Sequence, residues 1–98
     1  MENLLGAKRC SAFWNYLPAF IAVAEMEHLR AAAQAIRVSP SALSRSIGIL
    51  EYRLGYPLFE RSNRGLRLTA EGAHLLSVVR EGMRLVDENL TVFARSLS

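Results

Sequence analysis

A break at Val38-Ser39-Pro40 separates two short segments that each place apolar residues on one face. Ser39 is a favoured N-cap because its hydroxyl accepts from the free amide groups at a helix start, and proline suits the first helical position, where no N–H is needed. A helix is therefore predicted to begin at Pro40. Its apolar residues lie four, three and four positions apart, on one stripe that faces a core. They are Leu43, Ile47, Leu50 and Leu54.

The opposite face of this predicted helix carries small or hydrogen-bonding residues, namely Ser41, Ser44, Arg45 and Gly48. Such a face enters the major groove of DNA without steric blockage, and Arg45 could make a bidentate contact to guanine O6 and N7. Serine and arginine are also common on solvated helix faces, so this face alone leaves both interpretations open. Gly48 is unusual, because a glycine inside a helix costs about 1 kcal/mol relative to alanine. It either allows close approach of the DNA backbone or is incidental.

The segments before and after this helix favour the DNA-binding interpretation. The alanine-rich segment 29–36 predicts a short helix that crosses closely, and residues 37–39 form a turn of the length that helix-turn-helix pairs use. Gly55 is placed to end the second helix, and Pro57 prevents its continuation. Two short runs, 58–61 and 66–69, flank a turn that contains Asn63 and Gly65. This pattern predicts a β-hairpin, a wing beside the second helix of the pair.

Positive charge is concentrated in the same region. Between residues 37 and 67, six arginines stand against two glutamates, a local balance of +4, whereas the whole chain carries +3. A basic surface of this kind is expected where a protein contacts phosphates, and the forked donors of arginine suit that contact. A solvated run of charges is the alternative. The arginines of the predicted wing are Arg61, Arg64 and Arg67.

The order and spacing of these residues resemble the DNA-binding domain of the LysR-type transcriptional regulators. The matching residues are Val23-Ala24-Glu25, Ala32-Ala33, Val38-Ser39, Ala42-Leu43-Ser44, Ile47, Leu50-Glu51, Leu54-Gly55, Leu58-Phe59, Arg61, Arg64 and Leu68-Thr69-Ala70-Glu71-Gly72. The resemblance implies a mainly α fold, a winged helix-turn-helix with a three-helix core and a two-stranded β-hairpin wing, followed by a long C-terminal dimerisation helix. The implied activity is sequence-specific binding of double-stranded DNA as a transcriptional regulator.

The resemblance also implies which residues contact DNA. The base-facing positions at the start of the recognition helix fall on Pro40, Ser41, Ser44 and Arg45. The wing arginine that approaches the minor groove falls on Arg61 or Arg64. The phosphate-contacting positions fall on Ser39, Ser44 and Thr69, with backbone amides at helix starts assisting.

The chain departs from the family pattern in two places. Pro40-Ser41 stands where family members often have Gln-Pro, so direct readout of bases would depend more on Ser44 and Arg45. Glu27-His28-Leu29 stands where Gly-Ser-Phe is common. The second departure removes a flexible turn residue and a good N-cap, which predicts a helix start less stable by about 1 kcal/mol.

The flanking segments divide the chain into a flexible N-terminal extension at 1–12, the winged helix-turn-helix at 13–69 and a linker/dimerisation helix at 70–98. A first helix is predicted from Asn15 to Met26, with Trp14 in the core or covering it rather than stacking on bases.

Thr69 is the predicted N-cap of the last helix. The apolar residues of that helix form a heptad seam that needs a partner helix, because about 28 residues extend ~42 Å, well past so small a domain; packing on its own chain is the alternative. The seam consists of Leu76, Val79, Met83, Val86, Leu90, Phe93 and Leu97.

Nothing in the sequence predicts an enzyme, a cofactor or a metal site. The single Cys10 cannot form an intrachain disulfide, which fits a reducing cytoplasm. His28 and His74 are 46 positions apart, with no cysteine or carboxylate cluster at ligand spacing. No stretch approaches the ~20 apolar residues of a membrane span. The resemblance implies a location in the bacterial cytoplasm, in association with the nucleoid through DNA binding.

The expected partners are operator DNA with an inverted repeat and a second copy of the chain. A small-molecule effector is expected only if a further C-terminal domain exists, because family members normally continue into one. The chain is thus either a fragment or a naturally short protein, and a short protein could form mixed dimers with full-length regulators. A weakly specific winged-helix protein that binds chromatin is a third interpretation.

Overall fold

The computed structural model describes residues 13–63 and 65–97, without the side chains of 93–97. Its helices are α1 (Leu17–Met26), α2 (Leu29–Ala35), α3 (Pro40–Leu54) and α4 (Ala70–Leu97), and its strands are β1 (Phe59–Ser62) and β2 (Gly65–Leu68). The predicted class is confirmed: a mainly helical winged helix-turn-helix with a long last helix. The predicted extension at 1–12 lies outside the described residues.

Helix α1 begins at Leu17 rather than at the predicted Asn15, which lies in a turn. Pro18 stands in the first helical turn, where its fixed φ and missing N–H favour a helix start. Trp14 does not lie in the core, the first of the two places predicted for it, because its side chain is 52% exposed. Trp14 precedes Leu17, the first residue of α1 that reaches the core, and the buried aromatic residue is Phe20.

The core lies where α1, α2 and α3 meet the start of the wing. Its largest fully buried side chains are Phe20, Val23, Leu43, Leu50 and Leu58. The Phe20 and Phe59 rings contact at a centroid distance of 5.7 Å, tilted by 52°. Helix α2 contributes small residues to the core, Ala32 and Ala33, which lets it approach its neighbours closely. The apolar stripe predicted for α3 is therefore confirmed as its core face.

The corner between α1 and α2 corrects one expectation. His28 is an N-cap after all, because its Nδ1 accepts from the Ala31 N–H at 3.1 Å. The loss of a flexible turn residue is visible, since Glu27 ends α1 with φ 52, in the left-handed region that glycine prefers. The Glu27 carbonyl accepts from the Leu66 N–H at 3.2 Å. This contact joins the corner to the wing.

Both ends of α3 agree with the sequence prediction. The Ser39 hydroxyl accepts from the Ala42 N–H at 3.1 Å, and Pro40 is the first helical residue. Gly55 ends the helix with φ 85 and donates its N–H to the Glu51 carbonyl at 2.8 Å. The recognition helix thus has a fixed length and a fixed start.

Strands β1 and β2 pair antiparallel, and a side chain of α3 fixes the base of this hairpin. The register joins Phe59 to Leu68 and Arg61 to Leu66. The Glu51 carboxylate on α3 accepts from the N–H groups of Leu58, at 2.6 Å, and Phe59, at 3.2 Å. The wing is therefore held by the recognition helix itself.

The start of α4 is fastened to the same place. The Thr69 hydroxyl accepts from the Gly72 N–H at 3.0 Å, as predicted for an N-cap, and donates to the Pro57 carbonyl at 2.8 Å. A Cβ on Gly72 would collide with the Leu58 carbonyl oxygen. Only glycine allows α4 to pass this close to the chain that leads into β1.

Helix α4 divides its apolar stripe between two environments. Leu76 and Val79 are each 7% exposed, so this first part of the predicted seam is already buried within its own chain. The side chains of Met83, Val86 and Leu90 are 43%, 52% and 60% exposed. The alternative of packing on its own chain is therefore correct for the first part of the stripe. No helix among residues 13–63 and 65–97 is long and apolar enough to cross a bilayer.

Candidate nucleic-acid interface

The outer face of α3 presents the residues predicted to read bases. Pro40, Ser41 and Arg45 are exposed, and Ser44 is half-buried beside them. The Ser39 hydroxyl, which caps the helix, lies 3.3 Å from the Ser41 hydroxyl. The structure thus brings the five α3 positions together at the N-terminal end of one helix.

Sequence reasoning missed one residue of this face. Tyr52 is 88% exposed and continues the stripe of Ser41, Arg45 and Gly48 at intervals of three and four residues. The spacing was available in the sequence, but an aromatic residue near a helix end is usually assigned to a core. A tyrosine on this face adds a hydroxyl donor and an aromatic surface beyond Arg45.

The described arginines of the winged-helix part form no ion pair with an acidic residue. Within the part of the chain that the structure describes, both ion pairs belong to α4, where Arg84 contacts Glu81 and Glu88. Arg53 instead lies over the Tyr16 ring, 5.7 Å from its centroid. Arginines without acidic partners, such as Arg45, keep all their donors available for phosphates or bases.

A cleft of about 500 Å³ lies between α3, the start of α2 and the wing. Arg30 of α2 and Arg61 of β1, both exposed, contribute positive charge to its lining. Ile47 and Phe59 contribute apolar surface. The cleft joins the face of α3 to the wing, so the two predicted contact regions form one continuous surface.

One predicted phosphate-contacting residue stands apart from this surface. Thr69 is buried, and its hydroxyl is occupied by Gly72 and Pro57, so its observed contacts support the fold rather than a phosphate. Arg64 lies outside the described residues, so of the two arginines predicted to approach the minor groove, Arg61 is the one whose position is described.

The far part of α4 differs from this surface in chemistry. Besides the predicted Met83, Val86 and Leu90, the side chains of Val78, Leu85 and Val92 are exposed. The side chains of Phe93 and Leu97 lie outside the described residues. A hydrogen bond from Arg84 and its positive charge lower the pKa of the Glu81 carboxyl, and the same contact raises the pKa of Arg84. Beyond Val79, this helix therefore pairs Arg84 with two glutamates and leaves apolar side chains exposed.

The described residues contain no group of three His, Cys, Asp or Glu side chains that could hold a metal ion. His28 is occupied as a helix cap, and His74 is exposed on α4. Cys10 lies outside the described residues.

Comparison with known proteins agrees with this geometry. The family model described as bacterial regulatory helix-turn-helix protein, lysR family, matches residues 14–73. A probable hydrogen peroxide-inducible genes activator of Mycobacterium xenopi is 46% identical over 71 residues, which cover 72% of this chain and 38% of that protein.

Two solved structures share the fold. The CbnR_DBD–DNA complex matches with a TM-score of 0.74 and 36% identity, over 86% of this chain and 97% of that one. The BenM_DBD/benA site 1 DNA complex matches with a TM-score of 0.78 and 31% identity, over 86% of this chain and 94% of that one. The fold, its capped recognition helix and the match over most of the winged-helix part together show that this chain belongs to the LysR family of bacterial regulatory helix-turn-helix proteins.

Proposed function

We propose that this chain binds double-stranded DNA sequence-specifically, as the DNA-binding part of a LysR-type transcriptional regulator. The observation that carries the proposal is the exposed face of α3, where Ser41 and Arg45 have no acidic partner among the described residues. The two solved neighbours, whose descriptions name DNA complexes, add support from relatives. Since bacterial DNA lies in the cytoplasm, this function places the protein there.

In this proposal α3 enters the major groove. Arg45 contacts a guanine, and Pro40, Ser41 and Ser44 lie against neighbouring base edges. Ser39 and the free N–H groups at the start of α3 contact a phosphate, as helix N-termini do. The buried Thr69 is left out of the proposed contacts because its hydroxyl already has two partners.

The wing reaches the adjacent minor groove in the same proposal. Arg61 is exposed on β1, and Arg64 stands between β1 and β2 in the sequence. Arginine suits this position because a narrow minor groove concentrates negative potential. One winged-helix unit therefore covers about one half-site.

The proposed assembly is a symmetric dimer through α4. The exposed Met83, Val86 and Leu90 continue the apolar stripe beyond the point where the chain's own core ends, so a second α4 is the proposed cover. Dyad symmetry predicts an operator with an inverted repeat whose half-sites lie ~34 Å, or a multiple of it, apart. No effector is assigned to residues 1–98.

The test is selection of bound duplexes from a random-sequence library by the purified chain at near-physiological salt. Enrichment of an inverted repeat supports both sequence-specific binding and the dimer. Enrichment of a single half-site supports base recognition by α3 and contradicts the proposed dyad symmetry. A folded dimer that enriches nothing contradicts the proposal and favours mixed dimers or weakly specific binding.

A further inference from the structure

The path of one DNA strand follows from the proposed function, on which this inference rests. A major groove and the neighbouring minor groove are separated by a single sugar–phosphate strand. If α3 occupies the first groove and the wing the second, that strand passes between α3 and the wing. The cleft of about 500 Å³ described above lies at that place.

The lining of the cleft suits a sugar–phosphate strand. Arg30 and Arg61 supply cations, and neither is in an ion pair within the described part of the chain. Glu51 is the one carboxylate among the lining residues, and its Oε2 accepts two backbone N–H groups of the wing. The half-buried Phe59 provides apolar surface for a sugar. Charge and shape therefore both favour a phosphodiester strand as the occupant.

Gly48 lies in the wall of this cleft, on α3. A Cβ built on Gly48 meets no atom within 4 Å, and its φ is not in the left-handed region. By contrast, a Cβ on Gly65 would lie 2.7 Å from the Glu27 carbonyl oxygen, so the fold itself requires that glycine. The chain's own packing gives no reason for a glycine at position 48, although glycine weakens a helix interior.

We propose that Gly48 is a DNA-contacting position, at which the strand between the two grooves comes into van der Waals contact with the backbone of α3. A side chain there would fill the part of the cleft that the strand occupies. The contact is with the sugar–phosphate backbone, so it contributes affinity without reading a base.

The test compares Gly48→Ala and Gly48→Leu with the wild-type chain. Alanine and leucine both favour helix over glycine, so the unfolding temperature should rise or stay unchanged in both variants. DNA affinity should fall in Gly48→Ala and fall further in Gly48→Leu, by about tenfold or more, which corresponds to about 1.4 kcal/mol. Stability and affinity thus move in opposite directions, which a merely structural role of Gly48 does not produce.

The control is Gly82→Ala, on α4 and outside the cleft, where an added Cβ also meets no atom within 4 Å. It should show a similar rise in unfolding temperature and no loss of DNA affinity. An equal loss of affinity in Gly82→Ala and Gly48→Ala would show that the effect does not come from the cleft and would contradict the inference.

The binding measurements use the selected duplex and a random-sequence duplex pool, over a range of salt concentrations. Because no charge changes, the salt dependence of binding should be that of the wild type, and the loss should be equal on both duplexes. Wild-type affinity in Gly48→Leu overturns the inference and leaves the proposed function standing. A loss confined to the selected duplex assigns Gly48 to a base edge and also overturns it. A wild-type chain that binds neither duplex overturns the proposed function itself.

Discussion

The winged-helix part and the part of α4 beyond Val79 differ in which residues they bury or pair and which they leave available to a partner. In the winged-helix part, the large apolar side chains are mostly buried, and the described arginines have no acidic partner. Beyond Val79, the apolar side chains are exposed, and Arg84 is paired with Glu81 and Glu88. The first region therefore offers charge to a partner, and the second offers apolar surface. A polyanion suits the first region and another helix suits the second.

The largest expected effect comes from truncating a side chain in the core of the winged-helix part. Leu43→Ala should lower the free energy of unfolding by about 2 to 5 kcal/mol, because Leu43 is fully buried between helices. Urea denaturation followed by circular dichroism measures the change. Leu90→Ala is the matched control, since Leu90 is 60% exposed, and at concentrations where the chain is monomeric it should cost far less. Equal losses would contradict the contrast between the two regions.

Positive charges on the exposed apolar stripe of α4 should disrupt the proposed dimer without unfolding the winged-helix part. Val86→Lys combined with Leu90→Lys should reduce the sedimentation mass from that of two chains to that of one, because two lysines would face each other across the seam. The melting of the winged-helix part should change little. Ser77→Lys, at an exposed position off the stripe, should leave the mass unchanged. A double variant that keeps the wild-type mass would show that α4 does not form the interface.

Substitutions at the proposed DNA-contacting arginines should change DNA binding rather than the stability of the fold. Arg45→Ala should relax the preference at one base position of each half-site and cost on the order of 1 to 3 kcal/mol of binding free energy there. Arg61→Ala should instead weaken binding to all duplexes similarly and reduce the salt slope by about one unit. Repeating the library selection with each variant separates the two effects. An unchanged motif for Arg45→Ala would show that another part of α3 reads the bases.

The smallest effect concerns the paired charges of α4. Arg84 lowers the pKa of Glu81 in the folded chain, so the pair stabilises the helix above the unfolded pKa, and this contribution is lost as pH falls through the lowered folded pKa. Glu81→Gln should therefore reduce the melting temperature slightly near neutral pH and should match the wild type in acid. Asp87→Asn, which removes a carboxylate outside both described ion pairs, is the control. A difference that persists in acid would contradict the assigned cause.

Local patterns were enough to predict the recognition helix and the hairpin. The limits of α3 are determined locally, by the Ser39 hydroxyl and Pro40 at its start and by Gly55 at its end. Each of these residues acts on its own backbone or on groups within one helical turn. Contacts between distant positions escaped that kind of reasoning. The sequence identifies Glu51 only as a charge and as a residue of the family pattern, because its hydrogen bonds to Leu58 and Phe59 depend on how the chain returns to the helix.

Two other errors have distinct physical origins. His28 was judged a poor N-cap by residue type, yet its ring nitrogen accepts the hydrogen bond that a serine hydroxyl would accept. The whole stripe of α4 is predicted to face a partner helix, with packing on its own chain as the alternative, because an apolar stripe has the same spacing in both cases. Leu76 and Val79 are buried because of the direction in which α4 leaves the wing. The spacing of apolar residues in the sequence does not predict that direction.

The junction at Thr69 and Gly72 links the geometry of assembly to the geometry of binding. Since Thr69 bonds to Pro57 and Gly72 lies against Leu58, α4 leaves the winged-helix part at a fixed angle. In a dimer of the proposed kind, that angle sets the separation and relative rotation of the two recognition helices. The operator spacing that the dimer accepts would then depend on Gly72, a glycine buried against the winged-helix part. A side chain at position 72 would select a different spacing before it changed any base preference.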